Sequence, residues 1–355
     1  MTKTGNLNQA RIIIRVEADH KIGMGHLFRM LALASFLKTK AFDILFVTRT
    51  DQIVREILER HGIEFLAYEH SIDEPGVIER TVHTQQEFRP PALWIFDTFG
   101  TGKEWYTSLH RLRVPVLSFD DTGSGAGEAD IVINAIAGLW SNSKNAVPRN
   151  RFTGLDYMIL TPDILRYRKV REIKGNPKLK LGVGLGGSDT YNNTVKIADS
   201  LKYVDIAPAM VYFFLGPHFT AEEKLNEYLK EFPFPFKVEK NIPDLTAAFD
   251  NMDAVICGGG ITLFEVCALG LPALPLANEP HETQTITYFE ERGACIPIGS
   301  TSSGREELEE HINSALNDPE RLNAAAANGR TLVDGKGIYR VLELIEKQVG
   351  VGTHV

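Results

Sequence analysis

Cysteine is scarce in this 355-residue sequence, and its three cysteines, Cys257, Cys267 and Cys295, lack the spacing of a metal site. Their apolar surroundings suggest buried, reduced thiols of a cytoplasmic protein rather than a disulfide framework. Basic residues are outnumbered: 38 Lys and Arg against 46 Asp and Glu leave a net charge of −8, which argues against a general nucleic-acid surface. Long apolar runs are missing too. Stretches such as Ala254–Cys257 and Leu269–Ala277 fall well short of a membrane span, so no stable membrane insertion is expected. Met1–Arg11 is polar and lacks the apolar centre of a signal peptide. There is no low-complexity tract, no short-period repeat and no G-x-G-x-x-G dinucleotide motif.

What remains is an ordinary globular composition, 43% hydrophobic and 24% charged, in a chain long enough for two domains. Short apolar runs alternate with helical spacing. Strands are expected at Arg11–Val16, Asp43–Thr48, Glu64–Ala67, Ala92–Asp97, Val114–Phe119 and Ile131–Asn134, with helices between most of them. The alternation pauses over Ala135–Glu172 and resumes with strands at Lys180–Gly184, Ala209–Leu215, Phe236–Val238, Ala254–Ile256, Leu274–Pro275 and Ala294–Pro297. Such a pattern predicts parallel sheets covered on both faces. The expected fold class is α/β, two Rossmann-like doubly wound domains facing a cleft. Residues 1–172 and 173–355 are the expected halves, with the last helix a candidate to pack back on the first.

Each half carries a glycine turn between an apolar strand and a helix: Ile22-Gly23-Met24-Gly25-His26-Leu27-Phe28-Arg29, and Cys257-Gly258-Gly259-Gly260-Ile261-Thr262-Leu263-Phe264-Glu265. A helix N-terminus behind such a turn offers free N–H groups and a positive dipole end to an anion. Gly23 and Gly25 let the backbone approach a ligand closely. His26, at a helix start where its charged form is disfavoured, is a candidate general base; capping its helix or binding a phosphate oxygen is its alternative role. Arg29 lies one turn on and suits either an ion pair or a ligand contact. Gly186, Gly187 and Ser188 form a second loop able to cradle a phosphate. Glu265, seven residues after Gly258, is placed to reach a ribose, where a carboxylate can accept two vicinal hydroxyls. His281, Glu282 and Gln284 lie between a strand end and a helix, the position of a sugar-contacting loop. Asp97 ends a strand and either faces the cleft or caps the next helix. Asp120 and Asp121 are adjacent on an extended chain and so point to opposite faces, which disfavours a metal pair; no metal and no cofactor are expected.

These segments are arranged as in the two-Rossmann-domain nucleotide-sugar enzymes of the GT-B fold. Asn241–Ile298 resembles the UDP-sugar half of the UDP-N-acetylglucosamine transferase of peptidoglycan synthesis. Arg15-Val16-Glu17, followed by the His26 segment, resembles the R-x-D…IG-x-GH-x-x-R signature of the UDP-2,4-diacetamido-2,4,6-trideoxy-β-L-altropyranose hydrolases of pseudaminic acid biosynthesis. Leu117-Ser118-Phe119-Asp120-Asp121 and Leu185-Gly186-Gly187-Ser188-Asp189 resemble two further landmarks of that family. The resemblance implies metal-independent, inverting cleavage of a sugar C1–O bond, with His26 as base for water and release of UDP. It also implies that amides around Ile261 and Thr262 face the diphosphate, Glu265 the ribose, and the Ile242 backbone the uracil. The chain departs from the family at Glu17, where Asp is usual, at Phe99, where the reacting sugar meets a tyrosine, and at Pro280-His281-Glu282. The expected function is therefore a UDP-sugar hydrolase. A glycosyltransferase of the same fold and a nucleotide-sugar-binding partner without turnover are the alternatives.

Overall fold

Apolar runs without polar alternation become strands buried on both faces. The computed structural model describes residues 10–18, 24–86, 90–98, 100–136, 150–174, 178–187, 189–205, 208–240, 242 and 245–350. β1 (Arg11–Val16), β2 (Asp43–Arg49), β3 (Glu64–Tyr68), β4 (Pro91–Asp97), β5 (Val116–Phe119), β6 (Ile131–Asn134) and β7 (Arg151–Thr153) make one seven-stranded sheet, ordered β3-β2-β1-β4-β5-β6-β7. β8 (Lys180–Gly184), β9 (Met210–Leu215), β10 (Phe236–Lys240), β11 (Ala254–Gly258), β12 (Ala273–Ala277) and β13 (Gly299–Ser300) make a six-stranded sheet, ordered β10-β9-β8-β11-β12-β13. Every strand pairing is parallel. All residues of β1 and of β11 are buried, as strands covered on both sides require.

Helices cover both sheets: α1 (Gly25–Thr39), α2 (Gln52–Arg60), α3 (Glu74–Gln86), α4 (Lys103–Arg111) and α5 (Ile164–Tyr167) in the first half of the chain. The second half has α6 (Asn193–Leu201), α7 (Glu222–Leu229), α8 (Leu245–Asp250), α9 (Ile261–Leu269), α10 (Glu282–Glu290), α11 (Arg305–Leu316), α12 (Pro319–Leu332) and α13 (Gly337–Gln348). Their starts follow local chemistry. Asp51 caps α2 by accepting from the Val54 N–H, and Asp318 caps α12 ahead of Pro319. α13 returns to the first sheet's side, where Tyr339 meets Phe36 of α1 edge-on with ring centres 5.0 Å apart. One apolar core extends from β1 and α1 through α9 to α13.

In each sheet the strand order reverses once, between β1 and β4 and between β8 and β11. Loops diverge at such a reversal and leave a crevice beyond the strand C-termini. The structure also corrects two sequence expectations. Ala294–Pro297 is not a strand. Ile296 and Ile298 donate to Ala273 and Pro275 of β12, but Pro275 has no N–H to donate in return, and the ladder begins only at Gly299. The pause over Ala135–Glu172 contains β7, α5 and a 3-10 turn at Leu155–Tyr157, pieces too short to show periodicity.

Candidate active site

Asp97 is the last residue of β4, and the sheet register sets it beside Val16, the last residue of β1. α1 is the next described element after β1, and its first turn stands over Asp97. His26 Nδ1 is 2.7 Å from Asp97 Oδ1. Arg29, one helical turn on and therefore on the same face, donates Nε to Asp97 Oδ2 at 2.9 Å and Nη2 to Oδ1. Its Nη1 donates to Asp120, which follows β5 with a left-handed φ of 46° and accepts the Ala135 and Ile136 N–H groups at 2.7 and 3.0 Å. All four side chains are buried. Burial alone would raise the Asp97 carboxyl, but Arg29 and His26 outweigh it and hold it at about 2. The two carboxylates likewise keep Arg29 above its ordinary value despite its burial. An ionised Asp97 only accepts, so the Nδ1 proton stays on the imidazole. In neutral His26, Nε2 is then the atom able to take a proton.

The second half supplies the facing wall. A Cβ built on Gly25 would lie 3.6 Å from Ile261 Cδ1, so the N-termini of α1 and α9 meet across the cleft. The turn after β8 closes in as well: a Cβ on Gly187 would lie 2.6 Å from Met24 Cβ, too close for any side chain. Loops at both strand-order reversals therefore converge on one region. His281, the residue before α10, reaches the same place. Although His281 is exposed, its imidazole is held below its ordinary value by partial desolvation and by His26.

The predicted site residues fall into three groups. His26, Asp97, Gly25, Gly187, Ile261 and His281 come together at the cleft, with Gly260 and Thr262 adjoining Ile261. Gly186 takes a left-handed φ of 90°; Ile242 and Glu265 are half-buried, and Gln284 is exposed on α10. Gly23, Phe99 and Ser188 lie outside the described residues. Three expectations, for Arg29, Glu282 and Gly259, are corrected. Arg29 does not face a sugar: it is 2% exposed and its donors are occupied by Asp97 and Asp120. Glu282 does not project into the cleft either, because its buried Oε2 accepts the Gly259 and Asn278 N–H groups at 3.1 and 2.7 Å. That contact takes the Gly259 N–H away from any phosphate.

Sequence reasoning missed Asp120 and Asn278 as parts of the site. The Asp120-Asp121 pair does divide its work. Asp121 turns away to accept from Thr101 N, Gly123 N and the Tyr106 hydroxyl. Arg15 and Glu17, which carry the resemblance to the R-x-D motif, form a partly buried ion-pair network with Glu74 and Arg49. Among the described residues, no group of three His, Cys, Asp or Glu side chains is placed to hold a metal. No helix among them is long and apolar enough to cross a membrane.

No family model matches the chain. It is 28% identical over 276 residues to uncharacterized protein MJ1062 of Methanocaldococcus jannaschii, covering 75% of this chain and 55% of that protein, so it spans about half of that relative's length. It is 28% identical over 346 residues to the spore coat polysaccharide biosynthesis protein SpsG of Bacillus subtilis (strain 168), covering 94% of this chain and 97% of that one. A third relative is the UDP-N-acetylglucosamine--N-acetylmuramyl-(pentapeptide) pyrophosphoryl-undecaprenol N-acetylglucosamine transferase of Pseudomonas putida (strain W619). There the identity is 30% over 166 residues, covering 44% of this chain and 45% of that protein. Among solved structures, Acinetobacter baumannii MurG superposes with a TM-score of 0.68 at 16% identity, covering 95% of this chain and 99% of that one. The glycosyltransferase VinC, solved in complex with dTDP, superposes with a TM-score of 0.65 at 14% identity, covering 96% and 100%. The two parallel sheets and these likenesses define the class: the chain has the GT-B fold, two Rossmann-like domains facing a cleft.

Proposed function

We propose that this chain is a nucleotide-sugar-dependent glycosyltransferase that breaks the sugar's anomeric C1–O bond with inversion and releases a nucleoside diphosphate. The observation that carries the reading is the His26–Asp97 hydrogen bond at the start of α1, directly across the cleft from the start of α9. Asp97 fixes the imidazole so that Nε2 can take the acceptor's proton as the acceptor oxygen attacks C1. The leaving diphosphate develops negative charge, and the amides and dipole at the start of α9, with the Gly186–Gly187 loop, are suited to stabilise it. Glu265 on α9 is the candidate partner of the ribose hydroxyls, Ile242 lines the base side, and His281 with Gln284 borders the sugar.

A polysaccharide or saccharide hydroxyl is the acceptor that the relatives favour, since one is named for spore coat polysaccharide biosynthesis and another is a sugar transferase. Hydrolysis is the second reading, with water in the acceptor's place. It is favoured by the 6% exposure of His26, because a small nucleophile reaches a buried base more readily than a bulky sugar. The test is nucleoside diphosphate release from a panel of UDP- and dTDP-sugars, including 2,4-diacetamido-2,4,6-trideoxy sugars, with and without saccharide acceptors. Release that depends on an acceptor establishes the transferase, and release in buffer alone establishes the hydrolase. Binding of nucleotide without release under any condition overturns both.

A further inference from the structure

The turns of the second sheet that face the cleft are joined by a buried polar chain. Glu282, the first residue of α10, is 8% exposed, and its Oε2 accepts from Gly259 N in the turn after β11 and from Asn278 N in the turn after β12. Asn278 carries the chain onward. Its Nδ2 donates to the Leu185 carbonyl after β8 at 3.0 Å, and its Oδ1 accepts from Asn193 Nδ2 at 2.9 Å. Asn193 opens α6, where Asp189 accepts the Asn193 and Thr194 N–H groups at 2.7 and 2.8 Å. The glycines make this closure possible. A Cβ on Gly259 would lie 2.8 Å from Glu282 Cβ, and one on Gly258 would lie 2.6 Å from Asn278 Nδ2.

A buried carboxylate that spends itself on backbone amides decides which amides remain for a ligand. With the Gly259 N–H held inward, the groups without an intrahelical acceptor at this end are those of the first turn of α9, beginning with Ile261 and Thr262. We propose that Glu282, acting through Asn278, is a positioning residue that locks the turns after β8, β11 and β12 together, so that the Gly186–Gly187 loop and the first turn of α9 grip one diphosphate. The inference rests on the nucleotide-sugar reading and names the device that prearranges its diphosphate site. Satisfied buried networks of this kind rigidify what they join, and a site fixed before binding loses less entropy when the ligand arrives.

The experiment is calorimetric titration of UDP and dTDP into the wild-type chain and into Glu282→Ala, Glu282→Gln, Asn278→Ala and the double alanine variant, with melting temperatures measured alongside. Each alanine variant is expected to raise the nucleotide Kd by about tenfold or more, because the turns after β8, β11 and β12 are no longer fixed before the ligand arrives. Glu282→Gln keeps an acceptor oxygen for both amides and is expected to stay within about threefold of wild type. The double variant is expected to bind no more weakly than the weaker single one, as members of one network should. An unchanged Kd in a folded Glu282→Ala protein, with only the melting temperature lowered, overturns the proposal, as do additive losses. Asn278→Ala carries the test should Glu282→Ala fail to fold. Binding of neither nucleotide by the wild-type chain overturns the nucleotide-sugar reading and this inference together. Normal wild-type binding with unaffected variants overturns this inference alone.

Discussion

His26 can act as a base only while its Nδ1 keeps a proton, and Asp97, held at about 2, enforces that over the whole working pH range. His26→Ala is therefore expected to lower turnover by about 10²–10⁴-fold, the usual share of a general base, with UDP affinity nearly unchanged. Strong loss of UDP binding would instead make the imidazole a phosphate ligand. Asp97→Asn should lower kcat over a similar span, about 10²–10⁴-fold, because the amide no longer dictates the tautomer. It also leaves Arg29 buried with Asp120 as its remaining carboxylate, and breaking a buried pair costs roughly 3–5 kcal/mol, readable as a lowered denaturant midpoint. The stability that Asp97 contributes is present above the ordinary carboxylate range and is lost as pH falls from about 4 towards 2. Glu265→Ala is expected to weaken UDP binding by roughly 1–3 kcal/mol, the cost of leaving polar groups without their partner. A calorimetric Kd equal to wild type would remove Glu265 from the ribose site. His26 and Asp97 were legible in the sequence because each ends or begins an element at a strand's C-terminus. Arg29 was visible, but its role was not, since its partners Asp97 and Asp120 are 68 and 91 residues away.

At the scale of elements, glycine turns between apolar runs announced β1–α1 and β11–α9 from local pattern alone, and α1 and α9 begin inside the two glycine segments that the sequence singles out. The bracing of those turns was illegible. Glu282 looked like a ligand contact because its position at a strand-to-helix turn is shared by sugar-binding residues and by structural caps, and only the strand order β8-β11-β12 brings Gly259 and Asn278 to it. Burial pushes the Glu282 carboxyl up to about 7, against the pull of its amide donors. A carboxyl raised on folding contributes stability that is fully present below its unfolded value and is lost as pH rises through its folded one. Folding stability is therefore expected to fall between about pH 4.5 and pH 7 by an amount on the order of a few kcal/mol, and Glu282→Gln should flatten that slope. Urea unfolding across this range is the check; an equal slope in the variant assigns the pH dependence to other groups.

At the scale of the molecule, arginines and a glycine tie the segment that follows β7 to helices of the second half of the chain. Arg168 donates to the Ala268, Val333 and Arg330 carbonyls at the ends of α9 and α12, and Arg171 donates to Leu269 O and Asp250. Gly337, at the start of α13, packs against the backbone of Met158, where a Cβ would lie 2.0 Å from the carbonyl oxygen. Gly337→Ala must push the helix away and is expected to cost about 1–3 kcal/mol, seen as a lower melting temperature; an unchanged value would show that α13 shifts freely. None of these contacts has a local signature, since each joins segments far apart in sequence.

Because α1 and α9 meet at their N-termini, two ends of the same electrical sign are turned towards each other. Like poles oppose approach. A doubly negative group between them is attracted by both, and that attraction grows as they close around it and exclude water. The diphosphate would then serve as the counter-ion that draws the two halves shut, whereas a bare sugar or an uncharged nucleoside would leave that repulsion uncompensated.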